Sequence, residues 1–94
     1  MRLRFEWDED KATANLKKHG VGFDEATTVF ADPFSATITD SDHSAGEQRY
    51  VDIGTSERGR VLIVVYTERS TSIRIISCRK ATPAERKVYE EGYG

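Results

Sequence analysis

Residues 3–7 alternate apolar and polar side chains, which places Leu3, Phe5 and Trp7 on one face of a strand. Asp8 then offers a side-chain N-cap, with Glu9 and Asp10 at the positive end of a helix dipole. The pattern predicts a helix that runs to His19 and closes on Gly20 in the left-handed region. Its apolar stripe is thin, with Ala12 and Leu16 as the main contributors. Phe23, Ala26, Val29 and Phe30 recur at helical spacing and predict a second short helix that ends before Asp32-Pro33. From Phe34 the period shortens to two. Strands are expected at 34–39, 48–54, 60–68 and 72–79, with a polar loop at 40–47 and hairpin turns at 56–59 and 68–71. Residues 61–66 are apolar on both faces, which marks a central strand covered by helices on at least one side. Thr82-Pro-Ala-Glu85 joins an N-cap, a proline at the first helical position and a glutamate at the third, and so opens a C-terminal helix. The order β-α-α-β-β-β-β-α predicts an α+β fold. Two N-terminal helices and one C-terminal helix pack on a largely antiparallel sheet of four to five strands.

The 94 residues suffice for one domain spanning 1–94. A chain of this length buries about two-thirds of its unfolded surface, enough for one modest core. Apolar residues at 37% and charged residues at 32% describe a globular chain, because nine aromatic residues and many Val and Ile remain for that core. The longest apolar run, 61–66, is too short for a membrane-spanning helix. Charges occupy the N-terminus where a secretory signal needs apolar residues, and the single Cys78 cannot form an internal disulfide. Both features lead to the expectation of a reducing cytoplasm. The net charge of −2 hides an asymmetry. Residues 1–47 carry ten acids against five bases, whereas residues 48–94 carry nine bases against six acids. Most of those later bases are arginines, whose planar and permanently charged forks suit phosphate and carboxylate. An acidic chain is a poor indiscriminate nucleic-acid binder, but a one-sided basic face remains a local phosphate site.

Gly-rich phosphate loops, zinc spacings and nucleophile elbows are absent. Asp40-x-Asp42-x-Ser44 resembles the start of a calcium loop, yet glycine falls at the seventh position and Val51 at the twelfth, so a solvated turn is the better reading. His19 beside a helix C-terminus fits a capping role. The arginines carry more chemistry. In a regular strand Arg74 and Arg79 face opposite sides, and Arg79 shares a face with Ile73, Ile75 and Ser77. Arg69 ends the preceding strand and Arg49 begins another. For any single arginine a salt bridge or a solvated position is the commoner role. Several at strand ends, with few acids adjacent in sequence, point to an oxyanion site. Trp7 and Lys11 meet at the first strand-helix junction, where a core Trp and a surface Lys are the plain alternatives to a site.

Phe5-Glu-Trp-Asp8, Lys11, Asn15, Lys18-His-Gly20 and Phe23 form an ordered signature. It continues through Ala26, Val29, Phe30, Asp32, Arg49, Ile53-Gly54, Arg58-Gly59, Thr67-Glu-Arg69, Arg74-Ile-Ile-Ser77, Arg79-Lys-Ala81 and Glu85. This set resembles the BrnT family of bacterial type II toxins, small ribonucleases related in fold to the RelE toxins, and covers about residues 5–89. Cys78 stands where that family usually has Ala, and a small buried residue serves equally. The resemblance implies a RelE-like fold and a metal-independent endoribonuclease that needs no cofactor and inhibits translation. It also implies neutralisation by a BrnA-type antitoxin, with operator DNA reached only through that partner and no membrane involved. RNA is cut without metal when its own 2′-hydroxyl attacks the adjacent phosphate. That path needs a proton acceptor, charge stabilisation on the phosphorane and a proton donor for the leaving oxygen. Arg79 and Arg69 are assigned to the scissile phosphate, Arg49 to a neighbouring one, and Lys11 to proton transfer or electrostatics. Glu68 and His43 remain alternative bases.

Two other readings compete. A binding module without catalysis, engaging only an antitoxin or nucleic acid, suits the sequence pI of 5.7. A metal-dependent hydrolase would rest on Asp40, Asp42, His43 and Glu47, and would lose activity on chelation.

Overall fold

The computed structural model describes residues 3–39 and 47–92. Leu-Arg-Phe-Glu-Trp delivers a short strand, β1 (Arg4–Glu6), and Asp8 caps the following helix, α1 (Glu9–His19), by accepting from the Asp10 and Lys11 amides. Gly20 closes it with a φ of 70° and returns its N–H to the Leu16 carbonyl at 2.9 Å. That conformation places no side chain in strain only because glycine lacks a Cβ. The second helical stretch splits in two. α2 (Phe23–Thr27) tightens into a 3-10 turn at Thr28–Ala31 before Pro33 prevents further winding. Four strands follow: β2 (Ala36–Thr39), β3 (Arg49–Thr55), β4 (Val61–Arg69) and β5 (Ser72–Lys80). The last helix, α3 (Pro83–Glu91), opens on the expected capping box between Thr82 and Glu85.

The sheet has the order β1-β5-β4-β3-β2, with every neighbouring pair antiparallel except β1, which runs parallel to β5. The fold is therefore α+β with a mixed five-stranded sheet. α1, α2 and the 3-10 turn cover one face. Between them and the sheet lie Val21, Phe23, Ala26, Val29, Leu62, Val64, Tyr66, Ile75 and Cys78, all buried. Phe5, Phe30, Tyr66 and Tyr50 form a chain of ring contacts with centroids 4.9 to 5.6 Å apart. Where the 3-10 turn crosses β3, a Cβ on Gly54 would stand 2.8 Å from Val29 Cγ1, so the close approach requires glycine. Among the described residues no helix is long and apolar enough to cross a membrane.

α1 departs from the expected stripe. Leu16 is 54% exposed, whereas Asn15 is buried against β5. The reason is an edge: β1 pairs with β5 only as far as Arg74, so the outer side of β5 beyond it lacks a strand. The Asn15 amide takes that place, donating to the Cys78 carbonyl at 2.9 Å and accepting from the Cys78 N–H at 3.2 Å.

Candidate active site

The candidate arginines Arg49, Arg69, Arg74 and Arg79 lie on the sheet face opposite α1 and α2. Their placement depends on one irregularity. Val65 pairs with Ser77 and Tyr66 with Ile75, so Ile76 is an extra residue without a counterpart on β4. Such a bulge inverts the side-chain alternation beyond it. Ile73, Ile75 and Cys78 all enter the core, and Arg74, Ser77 and Arg79 all reach the opposite face. The expectation from regular alternation is thereby corrected: Arg79 does not share a face with Ile73 and Ile75, and Arg74 and Arg79 do not oppose each other.

At one end of this face Arg49, Thr67 and Arg74 stand side by side on β3, β4 and β5, with Arg69 one step further along β4. Arg79 sits opposite Ile63, which is four residues from Thr67 and six from Arg69 along β4. At the rise of an extended strand these separations are about 13 and 20 Å. Arg69 and Arg79 are therefore too far apart to hold one phosphate. Three of these arginines, Arg69, Arg74 and Arg79, also have a carboxylate. Arg69 Nε meets Glu47 Oε2 at 3.1 Å, Arg74 Nη1 meets Glu6 Oε2 at 3.6 Å, and Arg79 meets both Glu85 oxygens at 2.7 and 2.9 Å. None is shut off from solvent, the side chains being 47%, 30% and 41% exposed. Lys11 is not brought to them. It is exposed on α1, in the helix layer behind the sheet, because α1 docks through Asn15 on the face opposite the arginines. Glu68 pairs with Ile73 and so also belongs to the helix side. Asp40, Asp42 and His43 lie outside the described residues.

α3 crosses the Arg79 end of the open face, where Ile53 and Ile63 are buried. Beside it is an open cleft of about 670 Å³ between the β3–β4 turn, the end of β5 and α3. Arg60, Lys80 and Arg86 line it, together with Thr55, the Tyr89 ring and one acid, Glu90. Arg60 is committed: its guanidinium binds Glu25, which also accepts from Ser56 at 2.6 Å and is held below the usual carboxylate range chiefly by that guanidinium. Among the described residues Lys80 and Arg86 have no carboxylate or side-chain hydrogen-bond partner. Tyr89 donates to Asp32, and its hydroxyl is 3.0 Å from Thr55 Oγ1. Burial pushes the Tyr89 phenol upward. It does the same to the Asp32 carboxyl, where donation from Thr55 N–H, Tyr89 and Phe34 N–H outweighs it and leaves the group more acidic than usual. Glu85 falls to about 2, first through its bonds to Arg79. The arrangement offers an anion Lys80 and Arg86, two cations uncommitted among the described residues, beside the Tyr89 hydroxyl.

Lys80, Arg86 and Tyr89 were not singled out from the sequence. A signal for two of them existed, since the capping box fixes the start of α3 and places Arg86 and Tyr89 three apart on one helix face. The strand end they meet is not readable locally. Cys78 is no nucleophile, because burial pushes its thiol up to about 11. Among the described residues no cluster of three or more His, Cys, Asp or Glu is placed to hold a metal ion.

The family model described as "Ribonuclease toxin, BrnT, of type II toxin-antitoxin system" matches residues 7–85. Among solved structures, the Brucella abortus ribonuclease toxin BrnT, at 1.1 Å resolution, superposes with a TM-score of 0.66 and 20% identity over 86% of this chain and 99% of that one. At that identity the likeness establishes a shared fold. No curated protein matches the chain in sequence.

Proposed function

Because this chain belongs to the BrnT family of ribonuclease toxins of type II toxin-antitoxin systems, we propose that it cuts RNA by metal-independent transesterification in the cleft beside α3. The 2′-oxygen attacks phosphorus, the bond to the 5′-oxygen breaks, and a 2′,3′-cyclic phosphate remains. Lys80 and Arg86 take the negative charge that grows on the phosphorane, with Arg79 at the neighbouring position. Tyr89, oriented by Asp32 and Thr55, moves the proton at the reacting oxygens. Arg49 and Arg69 contact the substrate strand away from the reaction. Lys11 is given no part in the chemistry, since it is exposed on α1 and does not line the cleft. Translation stops until a BrnA-type antitoxin binds; that partner carries the complex to operator DNA in the cytoplasm.

One observation carries this reading: Lys80 and Arg86, two cations without carboxylate partners among the described residues, line one cleft together with Tyr89. Arg79 alone would serve poorly, since an incoming phosphate must first displace Glu85. The same pairing of Arg69, Arg74 and Arg79 with acids supports the binding-only reading. Purified protein incubated with RNA in EDTA separates the possibilities. A cyclic-phosphate product is expected, and the Lys80→Ala, Arg86→Ala double variant should lose about 100-fold or more in rate while remaining folded. Wild-type rates in that variant would dismiss the cleft, loss of activity in EDTA would restore a metal mechanism, and no product under any condition would leave a binding module.

A further inference from the structure

The open face of β4 reads Val61, Ile63, Val65, Thr67 and Arg69 from one end to the other. Thr67 continues an aliphatic series in which Val would fit the strand as well and carry no polar atom. It is 1% exposed, and its Oγ1 is buried with no hydrogen-bond partner among the described residues. Buried hydroxyls are nearly always bonded, to protein or to ordered water, so an unpartnered one in the middle of a central strand keeps a donor that a ligand oxygen can use. Its neighbours define that ligand. Arg49 and Arg74 are the residues directly opposite on β3 and β5. With strands about 4.8 Å apart, the two arginine backbones lie about 10 Å from each other with the hydroxyl between them. Arg74 is only loosely engaged by Glu6, at 3.6 Å, and that carboxylate also accepts from Ser72. Arginine side chains from both neighbouring strands are long enough to bring a guanidinium fork to an anion over Thr67.

Resting on the ribonuclease reading, we propose that Arg49, Thr67 and Arg74 form a seat for one backbone phosphate of a single-stranded RNA, separate from the cleft where the chain is cut. Binding parts the side chains that bury the Thr67 hydroxyl, so that two guanidinium groups flank the phosphate and the hydroxyl donates to it from below. The seat lies about 13 Å from Arg79 along the sheet, with Val51 and Val65 on the face between them. Those aliphatic side chains accept unstacked base faces rather than a rigid duplex. A substrate of several nucleotides engages both places, whereas a dinucleotide engages only the cleft.

Thr67→Val removes the hydroxyl at constant shape and tests the seat directly. Binding is read by fluorescence anisotropy with a decanucleotide whose sugars lack the attacking hydroxyl, so that no turnover is required. The variant should bind it about tenfold more weakly, the loss of one hydrogen bond to a charged group. It should also raise KM for cleavable decanucleotides with kcat unchanged, cleave dinucleotides as the wild type does, and melt no earlier. Arg74→Gln should weaken binding and lower the salt dependence of log affinity by about 0.7. Unchanged decanucleotide binding in Thr67→Val overturns the proposal, as does equal loss on decanucleotides and dinucleotides. An acidic decapeptide that competes as well as the oligonucleotide, and loses as much in the variant, overturns it in favour of a protein partner. If the wild type cuts no RNA while the difference in binding persists, the ribonuclease reading falls and the seat stands.

Discussion

Asn15 does the work of a missing strand. Its amide meets the N–H and C=O of Cys78 as a sixth neighbour would, and its second donor hydrogen reaches the Val21 carbonyl at 3.0 Å. Helix α1 is thereby fixed to β5 by polar bonding rather than by its thin apolar stripe. Asn15→Ala leaves buried backbone groups unpaired and should lower stability by about 2–4 kcal/mol, read from urea unfolding. A loss under about 0.5 kcal/mol would show that α1 is held some other way. Asn15 was legible as part of an ordered signature, but its role was not. Only the gap beside β5 explains why a polar side chain is buried there.

Among the helices, α3 is the one with no buried residue. It is held at its start by the capping box, and by Glu85 on Arg79 and Tyr89 on Asp32. Glu85 serves twice, accepting from the Thr82 N–H at 2.8 Å as well as from Arg79. Its carboxyl drops from 4.5 to about 2 on folding, so the ionised form is the one the folded state favours. The docking of α3 should be fully present above pH 4.5 and weaken as the pH falls toward about 2. Amide exchange of α3 across that range is the measurement. Glu85→Gln should lower protection at neutral pH and remove the acid transition; a transition surviving in that variant would assign it to another carboxylate. The local start of α3 was readable from Thr82-Pro-Ala-Glu85, because capping is decided within four residues. Its docking was not, because Arg79, Asp32 and Thr55 come from three different parts of the chain.

At the scale of the whole molecule, a net charge of −2 coexists with a cationic side. The open face and its adjoining cleft gather Arg49, Arg69, Arg74, Arg79, Lys80 and Arg86. Binding of RNA should therefore be local and salt-dependent. With about three phosphates engaged, the log of affinity should fall with log salt at a slope of about −2, read by anisotropy with the uncleavable oligonucleotide. A slope near zero would mean that stacking rather than charge holds the strand.

The residue order by itself determined the succession of elements, both helix caps, the turns and the family signature, because each is settled by neighbours a few positions apart. The tertiary structure alone decided which side chains share a face and which cations keep their charge available. Ile76 bulges only because β5 must stay in register with β4, and that single extra residue carries Arg79 across the sheet. The acids that engage Arg69 and Arg74 stand 22 and 68 positions away. Pairing over such distances depends on how the sheet closes, which no local pattern of hydrophobic and polar residues encodes.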